Sequence, residues 1–124
     1  MRLVNPPDCP PQNPSYSQAA VVGSTVFLAG QIGIVPTSGA LIASAVEAQT
    51  EQIFENTHRI LAAAGTSLER VVRVTIFLTD MREWQAMNEV YVRHFGNHAP
   101  PKTTVQVSAL ALGARVEIEF TAEV

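Results

Sequence analysis

The chain has 124 residues, a formal charge of -3, 47% hydrophobic residues and only 15% charged ones. That length supports one core over residues 1–124 and excludes a second folding unit or a separate cofactor domain. The basic residues Arg2, Arg59, Arg70, Arg73, Arg82, Arg93, Lys102 and Arg115 are scattered, so they form no stripe for a phosphate backbone, and no nucleic-acid partner is expected.

So low a charge share on a small domain predicts apolar surface buried in an oligomer. Residues 1–15 read as a proline-rich N-terminal arm. Its segment NPPDCPPQNP, residues 5–14, carries five prolines and is predicted to be irregular, ordered only by docking. Cys9 in that arm is the single cysteine, which excludes an intramolecular disulfide and a cysteine-built zinc site. It reads as an inert thiol, because no activating neighbour lies beside it in sequence. No signal-peptide pattern opens the chain and no segment has the roughly 20 apolar residues of a membrane span. A soluble, cytoplasmic protein without a membrane partner is the expectation.

After Tyr16, AAVV, the pair Gly23-Ser24 and TVFLAG read as a β-hairpin with glycine first in its turn. Gly30, Gly33 and Gly39 then break the chain into loop. Ser44 and Glu47 have capping-box spacing ahead of a helix with Ile53, Thr57, Ile60, Leu61 and Ala64 on one stripe, stopped by Gly65. Glu47, Glu51, Glu55 and Arg59 on its outer side read as a solvated face. VVRVTIFL, residues 71–78, is β-branched and apolar and predicts a central strand covered on both faces. Asp80 and Glu83 repeat the capping spacing before a helix with Trp84, Met87, Tyr91 and Phe95 on one side, ending at Gly96. TTVQVSA from Thr103 and RVEIEFTAEV from Arg115 complete the chain as strands. In the last, Val116, Ile118, Phe120, Ala122 and Val124 alternate with Glu117, Glu119, Thr121 and Glu123. The order ββαβαββ predicts an α+β fold, a mixed sheet with two helices on one face, whose other face needs its own cover.

Few residues invite chemistry. His94 and His98 are spaced i,i+4, but Gly96 between them ends the helix and no acidic ligand stands nearby in sequence, so no metal site is expected. His58 reads as a helix-surface residue. Gly30 and Gly33 lack the spacing and the following helix of a phosphate loop. What remains is a set at strand ends: Tyr16, Gly30, Lys102, Thr104 and Glu117. Each has an ordinary structural reading when taken singly, Lys102 as a solvated charge and Glu117 as an outward strand residue.

The residues YSQA, TVFLAGQIG, the AAG that ends the first helix, VVRVTIFLTDM, a proline-introduced strand and VEIEF together resemble the RidA family, also called YjgF/YER057c/UK114. The resemblance runs from Tyr16 to Val124. It implies a homotrimer of chorismate-mutase-like subunits with clefts between neighbours, and the hydrolysis of reactive 2-imino and enamine acids without a cofactor. It further implies that Tyr16 closes the cleft, the Gly30 carbonyl faces the substrate nitrogen, Glu117 holds water and Thr104 acts through its backbone. The family's deaminases carry an arginine that grips the substrate carboxylate within a Pro-x-Arg-x-Cys pattern. Here Pro100, Lys102 and Thr104 stand instead. An ammonium is a point charge where a guanidinium is a planar fork, a change that costs on the order of 1.5–3 kcal/mol of anchoring. Arg73 or Arg93 is a candidate to replace the missing guanidinium. Two other readings stand beside deamination: a non-enzymatic trimer that binds small carboxylates, and Lys102 as a Schiff-base nucleophile.

Overall fold

The computed structural model describes residues 1–124. Its six strands are β1 (Arg2–Val4), β2 (Ala19–Val22), β3 (Thr25–Leu28), β4 (Val71–Leu78), β5 (Lys102–Gln106) and β6 (Val116–Glu123). Its helices are α1 (Val46–Ala64) and α2 (Trp84–Phe95). The predicted elements are present, with β1 as an addition: three residues ahead of the prolines pair antiparallel with β2, Leu3 opposite Ala20. Residues 5–14 are irregular, as their prolines require.

The hairpin turns at Gly23, whose φ of 59° suits glycine. Helix α1 stops at Gly65, φ 86°, whose N–H bonds the carbonyls of Ala62 and Leu61. The capping box predicted at Ser44 and Glu47 does not form. Ala45 occupies the N-cap without a side-chain bond, and the Gln49 amide donates to the carbonyl of Ala43 at 2.9 Å. Asp80 does cap, accepting from the Arg82 N–H at 2.9 Å. The capped element is a short 3-10 turn, Met81–Glu83, that leads into α2, and Glu83 pairs with Arg115 at 2.9 Å instead of reaching back.

The sheet order is β1-β2-β3-β6-β4-β5, antiparallel throughout except for the parallel pair β4 and β5, joined by the α2 crossover. Both helices lie on one face. Val26 and Leu28 of β3, Val74, Ile76 and Leu78 of β4, and Val116, Ile118, Phe120 and Ala122 of β6 meet Ile53, Phe54, Ile60, Leu61, Met87, Tyr91 and Phe95 there. Phe54 stands edge-on to Tyr91, Phe95 and Phe120 at ring separations of 5.7–5.8 Å. The prediction that β4 is covered on both faces is corrected: within the chain it alternates, with Val72 exposed and Thr75 and Phe77 half-buried on the open side.

Helix α1 also buries a polar set that its apolar stripe does not reveal. Asn56 donates to the Ile34 carbonyl at 2.7 Å, and the Gln49 carbonyl oxygen accepts from the Arg115 N–H at 2.9 Å. The first bond fastens the loop after β3 to the helix, and the second fastens the entry to β6. The acidic face is not wholly solvated either. Glu51 meets His94 Nε2 at 2.7 Å, and Arg59 turns from Glu55 to Asp8, at 3.9 Å.

Candidate active site

Glu117 on β6 is opposite Phe77 of β4, so its side chain points to the open face of the sheet. Directly after β3, Gln31 bridges Ile118 with N···O distances of 2.8 and 3.0 Å, which draws Gly30 against Glu117. The approach is so close that a Cβ on Gly30 would lie 2.4 Å from Glu117 Oε2. Only glycine leaves the carboxylate its position. Burial pushes the Glu117 carboxyl above the usual carboxylate range, and neighbouring Glu119 adds to the rise.

Tyr16 precedes β2 and lines an open groove of about 500 Å³ with Phe27, Ser17, Ala20 and Ala29, the last being the residue before Gly30. Its hydroxyl accepts from the Gln12 N–H at 3.0 Å, a tie to the proline-rich arm. That arm is itself docked: Gln18 donates to the carbonyls of Cys9 and Pro10 at 3.2 and 3.1 Å, and to it Gln31 donates at 3.0 Å.

Lys102 and Thr104 stand on β5 beside Val74 and Ile76 of β4, so both face the helix side, opposite to Glu117. Lys102 Nζ donates to Asn88 Oδ1 of α2 and lies 4.1 Å from the Tyr91 ring centre and 5.4 Å from that of Trp84. Burial pulls its pKa down, while the amide oxygen and ring faces favour the charged form. Because Val74 N–H bonds the Pro101 carbonyl and Val107 N–H that of Leu78, the alternate residues Lys102, Thr104 and Gln106 turn their backbone groups off the free sheet edge. Thr104 thus presents an N–H outward, which fits a backbone role.

The strand-end set therefore divides in two: Tyr16, Gly30 and Glu117 on the open face, and Lys102 and Thr104 on the helix side at the β5 edge. The Endoribonuclease L-PSP family model matches residues 8–124, all five of these residues included. The chain belongs to this family. It is 41% identical over 107 residues to "Reactive Intermediate Deaminase A, chloroplastic" of Arabidopsis thaliana, covering 86% of this chain and 57% of that one. It therefore spans less than two thirds of that relative. It is 36% identical over 121 residues to the human "2-iminobutanoate/2-iminopropanoate deaminase", covering 98% of this chain and 88% of the other. Among solved structures, Escherichia coli TdcF with bound serine superposes with a TM-score of 0.93 at 32% identity, covering 100% and 99% of the two chains. The RidA resemblance and its α+β fold are borne out.

The two arginines considered as further carboxylate anchors sit apart. Arg73 donates to Thr103 Oγ1 at 3.3 Å, on the residue next to Lys102 but on the opposite face. Arg93 lines an open pocket of about 580 Å³ on α2 with Asn88, so it shares a surface with the residue that holds Lys102. Asn88 was not legible as a site residue, and Trp84 and Tyr91 read only as core. Their common signal is the i, i+4, i+7 spacing of 84, 88 and 91, which puts all three on the side of α2 above β5. Trp84 is 36% exposed at the start of that stripe, so it is not core. His94 stacks on Phe54 with ring centres 4.5 Å apart, whereas His98 Nε2 meets the Val71 carbonyl at 2.7 Å. The two imidazoles turn to different partners, and Cys9 is buried, with its thiol pKa pushed up by burial.

Proposed function

We propose that this RidA-family protein is a deaminase that hydrolyses 2-imino acids, reached from their enamine tautomers, to 2-keto acids and ammonia. The observation that carries this reading is the Glu117 carboxylate seated against Gly30, half-buried and raised in pKa, beside a groove large enough for a small acid. The family's named deaminases support it. The imine nitrogen sits at the Gly30 carbonyl, and Lys102 neutralises the carboxylate and orients the substrate. Water held by Glu117, close to the Thr104 N–H, adds to the imine carbon. Through Glu117 both protons of that water reach nitrogen, the first as the C–O bond forms and the second from the carbinolamine hydroxyl as the C–N bond breaks, so that ammonia leaves a carbonyl behind. Tyr16 closes the groove. Since imine hydrolysis proceeds readily in water, positioning with modest acid-base help is enough and the reading needs no cofactor or metal.

A single chain holds the two halves on opposite sides of its sheet, and a cleft between copies reunites them. The proposed assembly is the homotrimer, with Lys102 and Thr104 of one subunit facing Tyr16, Gly30 and Glu117 of its neighbour. No helix is long and apolar enough to cross a membrane, and a cytoplasmic setting is part of this proposal. The surroundings of Lys102 argue against its acting as a Schiff-base nucleophile: the Asn88 oxygen and two ring faces favour its ammonium form, which is not nucleophilic. The serine bound to TdcF keeps a second reading in view, a carboxylate-binding trimer without turnover.

The test is hydrolysis of 2-iminopropionate, generated in place by an amino-acid oxidase and trapped with semicarbazide. Wild type is expected to accelerate keto-acid release, and Lys102→Ala to lose most of the acceleration. No acceleration together with saturable pyruvate binding selects the second reading.

A further inference from the structure

Three side chains of α2 converge on the Lys102 ammonium, and none of them is anionic. Asn88 Oδ1 takes one N–H, the Tyr91 ring lies 4.1 Å away, and the Trp84 ring lies 5.4 Å away. Both separations are inside the range of about 6 Å over which a ring face attracts a cation. Lys102 takes part in none of the chain's ion pairs. A lysine on a flexible four-carbon stem ordinarily swings through many rotamers, and fixing it costs conformational entropy. Here its head is caged from below and from the side by groups that do not neutralise it.

We propose that Trp84 and Tyr91 are positioning residues for Lys102: their ring faces, with the Asn88 amide, hold an unneutralised ammonium at the β5 edge so that a lysine serves as the substrate-carboxylate anchor. This rests on the deaminase or carboxylate-binding reading of the site, because it takes the partner of Lys102 to be a carboxylate. Of three ammonium N–H groups, one is spent on Asn88 and one is directed at the Tyr91 face, which leaves one for a carboxylate oxygen. The aromatic cage supplies in rigidity part of what the planar guanidinium supplies in geometry. Tyr91 is locked in direction by Phe54, edge-on at 5.8 Å, and by Phe95, with ring centres 4.7 Å apart. Its buried hydroxyl bonds nothing, so the ring and not the hydroxyl accounts for its place. Trp84 is only partly covered, which is expensive for so large an apolar surface unless its exposed face meets a cation or a ligand.

The experiment compares wild type, Trp84→Leu, Trp84→Phe and Lys102→Ala. It measures steady-state hydrolysis of 2-iminopropionate and, independently of turnover, the calorimetric Kd for pyruvate. Trp84 is at the surface end of α2, so its variants are expected to melt near the wild-type temperature. Trp84→Leu is expected to raise KM and the pyruvate Kd about two- to fivefold with kcat retained, the range of one partly exposed cation–ring contact. Trp84→Phe, which keeps an aromatic face, is expected to recover most of that loss. A merely structural role predicts a lowered melting temperature without the split between KM and kcat and without rescue by phenylalanine, and that result overturns the proposal. Unchanged KM and Kd in Trp84→Leu beside a large rise in Lys102→Ala also overturns it and leaves the anchor intact. Unchanged values in Lys102→Ala overturn the anchor and the cage together. Absence of turnover in wild type, with the expected shifts in Kd, retires the deaminase reading alone.

Discussion

Gly30 and Glu117 act as a pair, since the glycine exists to leave room for the carboxylate. A Cβ there meets the far end of a side chain, which can swing away, so Gly30→Ala is expected to fold with a near-normal melting temperature yet lose turnover. Normal turnover in the imine assay would count against the pairing. Glu117→Gln is expected to cost about a hundredfold in kcat, typical of a lost acid-base group. It also carries a stability signature. An acid raised by burial holds its proton more tightly folded than unfolded, so stability falls as pH rises through the window between the ordinary value and the raised one. Glu117→Gln is therefore expected to melt higher than wild type above that window and equally below it; melts at pH 4 and pH 8 read the difference. On the proposed mechanism, turnover requires an ionised Glu117 and a charged Lys102. The acid limb of the pH profile should thus lie above the ordinary carboxylate range and the alkaline limb below the ordinary lysine value.

The loop that follows β3 is held by α1, and a second glycine makes that possible. A Cβ on Gly33 would lie 2.8 Å from the backbone of Gln49, which cannot yield as a side chain can. Gly33→Ala is expected to destabilise the fold by about 1–3 kcal/mol, the usual range for overpacking, read from urea midpoints at constant slope. The contrast with Gly30→Ala separates the scaffold from the site. Gln49 and Asn56 on α1 complete the fastening. Their role was hidden because the helix pattern reveals which side faces the core, not which buried amide meets which loop carbonyl. The same limit applied to α2, where Trp84 and Tyr91 read on one side with Met87 and Phe95, but β5 lies beneath Trp84, Asn88 and Tyr91 only because a parallel crossover returns the chain there.

For the molecule as a whole, the open face of the sheet is the unfinished surface. Phe27 and Val105 are 50% and 39% exposed on it, Val105 paired with Phe77 and Phe27 lining the Tyr16 groove. Apolar residues on the uncovered side of a sheet are expected to associate. Phe27→Asp is expected to yield particles of the 13.4 kDa chain mass, where wild type, as the proposed trimer, is expected to sediment at three times that value, and to lose turnover, because on that proposal it parts the two halves of the site. A fully active monomer would show that one chain suffices.

The element order apart from β1, the alternation of β6, the Gly65 stop and the family were legible in the sequence, because each rests on local periodicity, turn chemistry or motif order. Strand β1 was not, since a strand of three residues ahead of prolines has no period to read. In place of the Ser44 cap the Gln49 amide meets the Ala43 carbonyl, and the engagement of Glu51 with His94 was likewise decided by packing between α1 and α2. So was the division of the site. Tyr16, Gly30, Lys102, Thr104 and Glu117 could be named from the chain, but the sheet order and the registers of β4, β5 and β6 put Lys102 and Glu117 on opposite faces. Those pairings join residues far apart in sequence, which is where tertiary structure alone decides.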